Sequence, residues 1–196
     1  MQRLYIGIFI MLWTIGMSAA QTVSFDSFLW GDKMGTLTAT KKKGGDIVYY
    51  EVKASNSAKI LGIQKNVETI TTITVKGGLM IESYSKRVDN GKLKSYCSIK
   101  WDGSKYNIET EKGKSTYNNK VSLVTMEFYF SEPKVSESYY YNPAAHPITF
   151  TKTGGGVYEF KTNDGVKHKF IYKNGVLDEI ENGMDIATVK FRKSSN

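Results

Sequence analysis

Between residues 92 and 101 the side chains alternate: Leu93, Ser95, Cys97, Ile99 and Trp101 fall on one side of an extended chain, Lys92, Lys94, Tyr96, Ser98 and Lys100 on the other. A period of two marks a strand with one face in a core and the other in water. The same alternation sets Val166, His168, Phe170 and Tyr172 against Lys167 and Lys169, and Ala187, Val189 and Phe191 against Lys190 and Arg192. Ile60 to Lys76 is rich in threonine and β-branched residues and has no glycine after Gly62, which predicts one long strand or a bent pair. No stretch carries a 3.6-residue apolar period. The nearest approach, Val121 to Met126, is too weak to predict a helix.

Glycine turns punctuate these segments: Gly44-Gly45-Asp46, Gly77-Gly78, Asp89-Asn90-Gly91, Asp102-Gly103, Lys112-Gly113, Asn163-Asp164-Gly165, Asn174-Gly175 and Asn182-Gly183. Asn-Gly and Asp-Gly supply the positive φ angles of tight hairpins, and a spacing of about eight to twelve residues is that of a β-meander. The expected fold is therefore all-β, an antiparallel meander of about ten strands forming a strongly curved sheet or partly open barrel. One region interrupts it. Tyr117 to Thr153 holds all three prolines, Pro133, Pro143 and Pro147, together with Phe128-Tyr129-Phe130 and Tyr139-Tyr140-Tyr141. Proline breaks ladder hydrogen bonds, so this insert is expected to contain short strands and exposed loops. It has no flexible Gly/Ser linker and its aromatic rings need a shared core, so it is not read as a domain boundary.

At the N-terminus Arg3 precedes an apolar run from Leu4 to Met17, followed by Ser18, Ala19 and Ala20. That run is too short for the roughly 20 residues of a membrane-spanning helix. It has the form of a signal peptide, with cleavage expected between Ala20 and Gln21, so that 1–20 is the signal and 21–196 a single β-rich domain. The destination is then the periplasm or the exterior. The only cysteine is Cys97, on an apolar strand face, so neither an intramolecular disulfide nor a lipidated N-terminus is expected and the fold is left to its core. The formal charge of +8 comes from lysines scattered singly, apart from Lys41-Lys42-Lys43. That is the distribution of a solvated sheet face rather than a nucleic-acid site. Lysines at outward positions such as Lys94, Lys100, Lys167 and Lys169 also argue against a lipid-facing transmembrane barrel.

The order of marks along the chain resembles a known family. It runs from a strand with Phe25 and Gly35, through Gly45-Asp46, Tyr49-Tyr50 and Ser55, to Asp89-Asn90-Gly91-Lys92 and Tyr129-Phe130-Ser131-Glu132-Pro133. It closes with Asn163-Asp164-Gly165, Tyr172, Asn174-Gly175 and the terminal strand. This is similar to a family of uncharacterised exported β-rich proteins of Gram-negative bacteria, a domain of unknown function. The resemblance spans nearly all of the chain beyond the signal and implies a location and a β-rich fold. It supplies no catalytic residues.

Catalytic chemistry has little to stand on. His146 and His168 are 22 residues apart with no Cys or His at ligand spacing, so no metal site is expected. Glu127, Glu132 and Glu137 recur every five residues, a spacing that puts alternate members on opposite strand faces rather than pairing them for acid–base work. There is no Gly-x-Ser-x-Gly elbow, and Gly154-Gly155-Gly156 lacks the Gly-Lys-Ser/Thr end of a phosphate loop. The reading is a non-catalytic binding module without a cofactor, holding an apolar or amphipathic, lipid-like ligand within a curved sheet. The alternative is a structural protein docking an envelope partner through its aromatic loops. Phe128, Tyr129, Phe130, Glu132, Tyr139, Tyr140 and Tyr141 are the candidate contacts in either case, because they combine apolar area with polar tips.

Overall fold

A computed structural model describes residues 19–60, 62–163, 165–183 and 188–194. They form fifteen strands and two short 3-10 turns. The first eight strands are β1 (Ala19–Leu29), β2 (Asp32–Gly44), β3 (Ile47–Ile60), β4 (Ile63–Lys76), β5 (Leu79–Asp89), β6 (Lys92–Trp101), β7 (Tyr106–Thr110) and β8 (Gly113–Tyr117). The insert follows as a 3-10 turn (Thr125–Tyr129), β9 (Ser138–Tyr141), a second 3-10 turn (Asn142–Ala144) and β10 (His146–Thr149). The chain ends with β11 (Thr151–Gly154), β12 (Val157–Lys161), β13 (Lys167–Lys173), β14 (Val176–Gly183) and β15 (Thr188–Lys193). The signal peptide expected at 1–20 lies almost wholly outside the described residues; cleavage after Ala20 would take two residues from β1.

Thirteen strands make one antiparallel sheet in the order β11-β12-β13-β14-β15-β1-β2-β3-β4-β5-β6-β7-β8, and β9 and β10 pair separately. The chain thus enters in the middle of the sheet, meanders out to the edge strand β8, crosses through the insert, and meanders back from the other edge, β11. Phe25 to Leu29 of β1 then pair with Val189 to Lys193 of β15, which joins the two halves. The sheet is not closed into a barrel. A sheet this wide twists and curls, and the insert lies in its concavity, touching β2 and β3 on one side and β12 and β13 on the other.

Alternation places Phe25, Leu37, Ala39, Tyr50, Val52, Ile73, Ile99, Phe160, Phe170 and Phe191 on the concave face, all buried. On the convex face charge pairs replace them. Glu159, Lys169, Glu181 and Lys190 stand opposite one another across β12 to β15, with Lys169–Glu181 at 3.2 Å and Lys190–Glu181 at 2.6 Å. Opposite charges facing across strands stabilise the ladder by a few tenths of a kcal/mol each, ~0.2–1 at most, and this is where much of the scattered lysine is used.

Several expectations change. Fifteen strands form against the expected ten or so, three of them, β9, β10 and β11, in the insert and the segment after it. The weak Val121–Met126 signal is displaced to a single 3-10 turn at Thr125–Tyr129. Asn182-Gly183 is not a turn but the end of β14. Leu93 leaves the apolar face: Arg87 pairs with Ser95 but Val88 with Leu93, so Lys94 is an extra residue in β6. That bulge reverses the side-chain direction beyond it, and Leu93 is 59% exposed. Ala187 and Asp164, named in the strand and turn readings, are outside the described residues.

Candidate functional site

The turns β1–β2, β3–β4, β5–β6 and β7–β8 lie at one end of the sheet, and β2–β3, β4–β5 and β6–β7 at the other. The insert is fixed at the second end. Lys41 Nζ donates to both Glu127 carboxylate oxygens at 2.7 and 2.9 Å, and Tyr50 Oη donates to one of them at 2.6 Å. Burial, and then the adjacent Glu127 carboxylate, hold the Tyr50 phenol far above its usual range, so it is always a donor. From the opposite side of the concavity Tyr172 donates to the carbonyls of Phe128 and Ser131. Met80 N donates to Val121 O, Tyr106 Oη to Met80 O, and Asn142 Nδ2 to Met80 Sδ. Both halves of the sheet therefore grip the same plug.

Phe128 is the hydrophobic centre of that plug. Its ring lies edge-on to Phe150 at 4.4 Å, Tyr139 at 4.7 Å and Phe170 at 5.6 Å between centroids, arrangements that suit the ring quadrupoles. Tyr129 meets Phe25 and Phe170 at 6.2 and 6.4 Å, and Tyr117 meets Tyr140 at 5.2 Å.

At the opposite end the plug stops short, and the concave face is left as a half-open cleft of about 870 Å³. Its floor is Thr125, Met126, Tyr129, Tyr141 and Asn142 of the insert; its walls are Leu29, Leu37, Val52, Ala54, Ala58, Val67, Phe160, Phe170, Ile180, Val189 and Phe191 of the sheet. Two sequence features make the space. The inner residues of β3 shrink toward this end, from Tyr50 and Val52 to Ala54, Asn56 and Ala58, and β3 and β4 run 14 residues each, past the plug. Polar groups on the wall are mostly satisfied within it: Thr71 and Ser85 hydroxyls share a 2.7 Å bond, and His168 Nδ1 lies 2.9 Å from Asn182 Oδ1, its ring stacked on Phe160 at 4.6 Å. Asn142, 1% exposed, keeps Oδ1 without a hydrogen-bond partner among the described residues. Lys65 and Arg87 stand in the wall, with Arg87 bonded to Asp89 at 2.7 Å.

The candidate residues named from the sequence divide three ways. Phe128, Tyr139 and Tyr140 are buried in the plug. Tyr129 and Tyr141 border the cleft. Phe130 packs on Tyr50 at 6.3 Å, and Glu132 accepts a 2.7 Å bond from Tyr158, both away from the cleft walls. The three glutamates have separate partners: Glu127 on β2 and β3, Glu132 on β12, and Glu137 on Tyr139 and Lys134. His146 and His168 both approach the Tyr141 ring, at 6.1 and 5.4 Å. Among the described residues no group of three His, Cys, Asp or Glu is placed to hold a metal ion, and no helix is long and apolar enough to cross a membrane. Burial, then the negative Glu111, push the Cys97 thiol up to about 11. A shallow depression of about 130 Å³ on the convex face is lined by Glu159, Lys167, Lys169 and Glu181, whose charges satisfy one another.

Sequence reasoning missed the cleft walls. Ala54, Ala58, Val67 and Thr69 are small residues at alternate positions of two long strands, and that run of small inner side chains is the signal that was there to be read. No curated protein and no solved structure shows significant similarity to the chain. One family does match, over residues 25–194, from the first buried phenylalanine of β1 to the residue after β15, and the chain belongs to it: the domain of unknown function DUF6134.

Proposed function

We propose that this protein is a non-catalytic carrier or binding module for an amphipathic, lipid-like ligand, exported from a Gram-negative cell and acting in its envelope or outside it. The observation that carries the reading is the cleft of about 870 Å³ between plug and sheet, walled chiefly by aliphatic and aromatic side chains. Small-molecule sites occupy about 300–1,000 Å³ and combine such walls with a few polar groups. The apolar part of a ligand lies against Ala54, Val67, Phe170 and Phe191, and an acidic head group faces Lys65. Export is supported by the apolar run Leu4 to Met17 with Ser18 and Ala20 behind it. Docking of a protein through the aromatic insert has less support, since Phe128, Tyr139 and Tyr140 are buried.

The test is titration with an environment-sensitive apolar fluorophore, followed by displacement with single-chain anionic lipids. The protein is expected to bind the probe and release it to the lipid, whereas Ala54→Phe, which fills the wall, is expected to lose the site while keeping its secondary structure. Probe binding that is unchanged in Ala54→Phe would place the ligand elsewhere and overturn the reading.

A further inference from the structure

Among the described residues the three most exposed large apolar side chains, Trp30 at 62%, Ile63 at 60% and Leu93 at 59%, share one end of the sheet, while the less exposed Ile47 and Val176 stand at hairpin ends on the other and Val135 in the insert. The three sit at or beside the tips of three successive hairpins, β1–β2, β3–β4 and β5–β6, at the end where the cleft opens, Leu93 on the convex side of its strand. Neighbouring strands are about 4.8 Å apart, so successive tips are offset by roughly 10 Å across the sheet, and the β5–β6 tip also stands lower along the strands, Asn90 level with Asn66 rather than with Ile63. The β5–β6 tip is bonded to β4: Asn90 N donates to Asn66 O and Asn66 N to Asn90 Oδ1, both at 2.8 Å. Together with the β1–β2 tip on the same side of the sheet these hairpins border the mouth as one rim.

Two further features give this rim a chemistry. Residues 29–34, 57–66 and 87–95 carry six basic and two acidic side chains. Lys33 is bound to Asp26 and Arg87 to Asp89, but Lys59, Lys65, Lys92 and Lys94 are exposed and make no ion pair among the described residues. Trp30 is held at φ +53°, followed by Gly31 at φ +95°, in a two-residue turn. Asn suits the first position of such a turn far better than a bulky aromatic. Trp30 is thus a solvent-exposed aromatic at a backbone position that disfavours one.

We infer that this rim docks the mouth of the cleft onto an anionic lipid bilayer, with Trp30, Ile63 and Leu93 entering the interface and the free lysines facing the head groups. Tryptophan favours the interfacial zone, and lysines beside inserted apolar side chains keep their ammonium groups at the head-group level. Apolar insertion and electrostatic attraction together give stable but reversible attachment, which either alone gives poorly. The occupant is a membrane because a narrow line of isolated apolar tips set among unpaired cations matches a fluid, negatively charged surface. A folded protein partner would instead need a continuous packed patch. The inference goes beyond ligand binding, and it orients the cleft: a lipid could leave the bilayer through the mouth without crossing water.

The test is co-sedimentation of the protein, as purified from its own cells, with phosphatidylcholine vesicles with and without phosphatidylglycerol. Binding to the anionic vesicles is expected, with tryptophan emission shifting to the blue, a shift lost in Trp30→Asn, and attachment weakening in high salt. Trp30→Asn, Ile63→Ser and Leu93→Ser combined are expected to weaken it at least tenfold. Lys59→Gln with Lys92→Gln is expected to weaken it by about fivefold per lysine. All variants share the same N-terminus, so any contribution of the apolar run 4–17 cancels. Failure to sediment, equal binding to neutral vesicles, or undiminished binding by both variants would overturn the inference. The rim variants are expected to retain apolar-probe binding and Ala54→Phe to retain vesicle binding, so docking and ligand carriage fail separately.

Discussion

Phe128→Ala asks whether the insert is a packed plug or a loosely laid loop. The side chain is 1% exposed and edge-on to three rings at 4.4, 4.7 and 5.6 Å. Removing a buried phenylalanine costs about 3–5 kcal/mol, the higher values arising where surrounding groups cannot collapse into the space. Here they cannot. Phe150 and Phe170 belong to or border the sheet, while Tyr139 is held through its hydroxyl by Lys134 N at 2.9 Å. The expected loss is therefore roughly 4 kcal/mol, and for a domain of this size each kcal/mol lowers the melting temperature by about 2–4 °C. Urea unfolding followed by far- and near-ultraviolet circular dichroism measures it, with the m-value unchanged if both states keep their compactness. Tyr172→Phe, which deprives the Phe128 and Ser131 carbonyls of a donor, is expected to cost about 1–2 kcal/mol. The double variant is expected to fall short of additivity, since both changes loosen one contact. A loss below about 1 kcal/mol for Phe128→Ala would refute the reasoning, because no residue at the centre of a packed plug could be removed so easily.

Other consequences follow from particular residues. A Cβ at Gly35 would lie 2.0 Å from the Ser55 carbonyl oxygen, so Gly35→Ala is expected to cost about 2–3 kcal/mol in the same unfolding assay; a neutral result would mean that the β2–β3 contact is wrong. The Cys97 thiol, raised to about 11, is expected to resist iodoacetamide at pH 8 in the folded protein and react promptly in urea; rapid stoichiometric labelling of the native state would contradict its burial. The Glu181 carboxyl is held below its ordinary 4.5 first by the hydrogen bond from Lys190 and then by Lys169, against the opposing effect of burial. Its contribution to stability is accordingly complete above that value and is lost as the pH falls through the lower folded one. In an NMR titration Lys190→Gln is expected to bring Glu181 back toward 4.5; a native Glu181 titrating at or above 4.5 would contradict the convex-face ladder.

The sheet was legible because its two signals are local. Alternation in Lys92 to Trp101 and glycine turns at Asn90-Gly91 or Asn174-Gly175 depend on neighbours in sequence, and both appear where expected. The departures arise where a single residue changes register. Lys94, as a bulge, turned Leu93 outward, and nothing in the alternation marks it. The strand order was not legible, because the β1–β15 pairing joins residues 160 or more positions apart. The aromatic insert was recognised as exceptional, but whether its rings are core or contact surface depends on which strands curl around it. Phe128 and Tyr129 are adjacent and differ in this respect: one is buried among rings, the other borders the cleft. The cleft itself comes from side chains that are small, as at Ala54 and Ala58, and a periodicity search weighted toward large apolar residues passes over them.

The most direct test of the central proposal is native mass spectrometry of the protein purified from its own cells, set against the mass of its polypeptide determined after denaturation. Ligand carriage predicts an additional mass that disappears on organic extraction and proves to be an amphipathic lipid, and that is missing from Ala54→Phe prepared in the same way. A bare polypeptide mass under conditions that preserve known lipid complexes would contradict it.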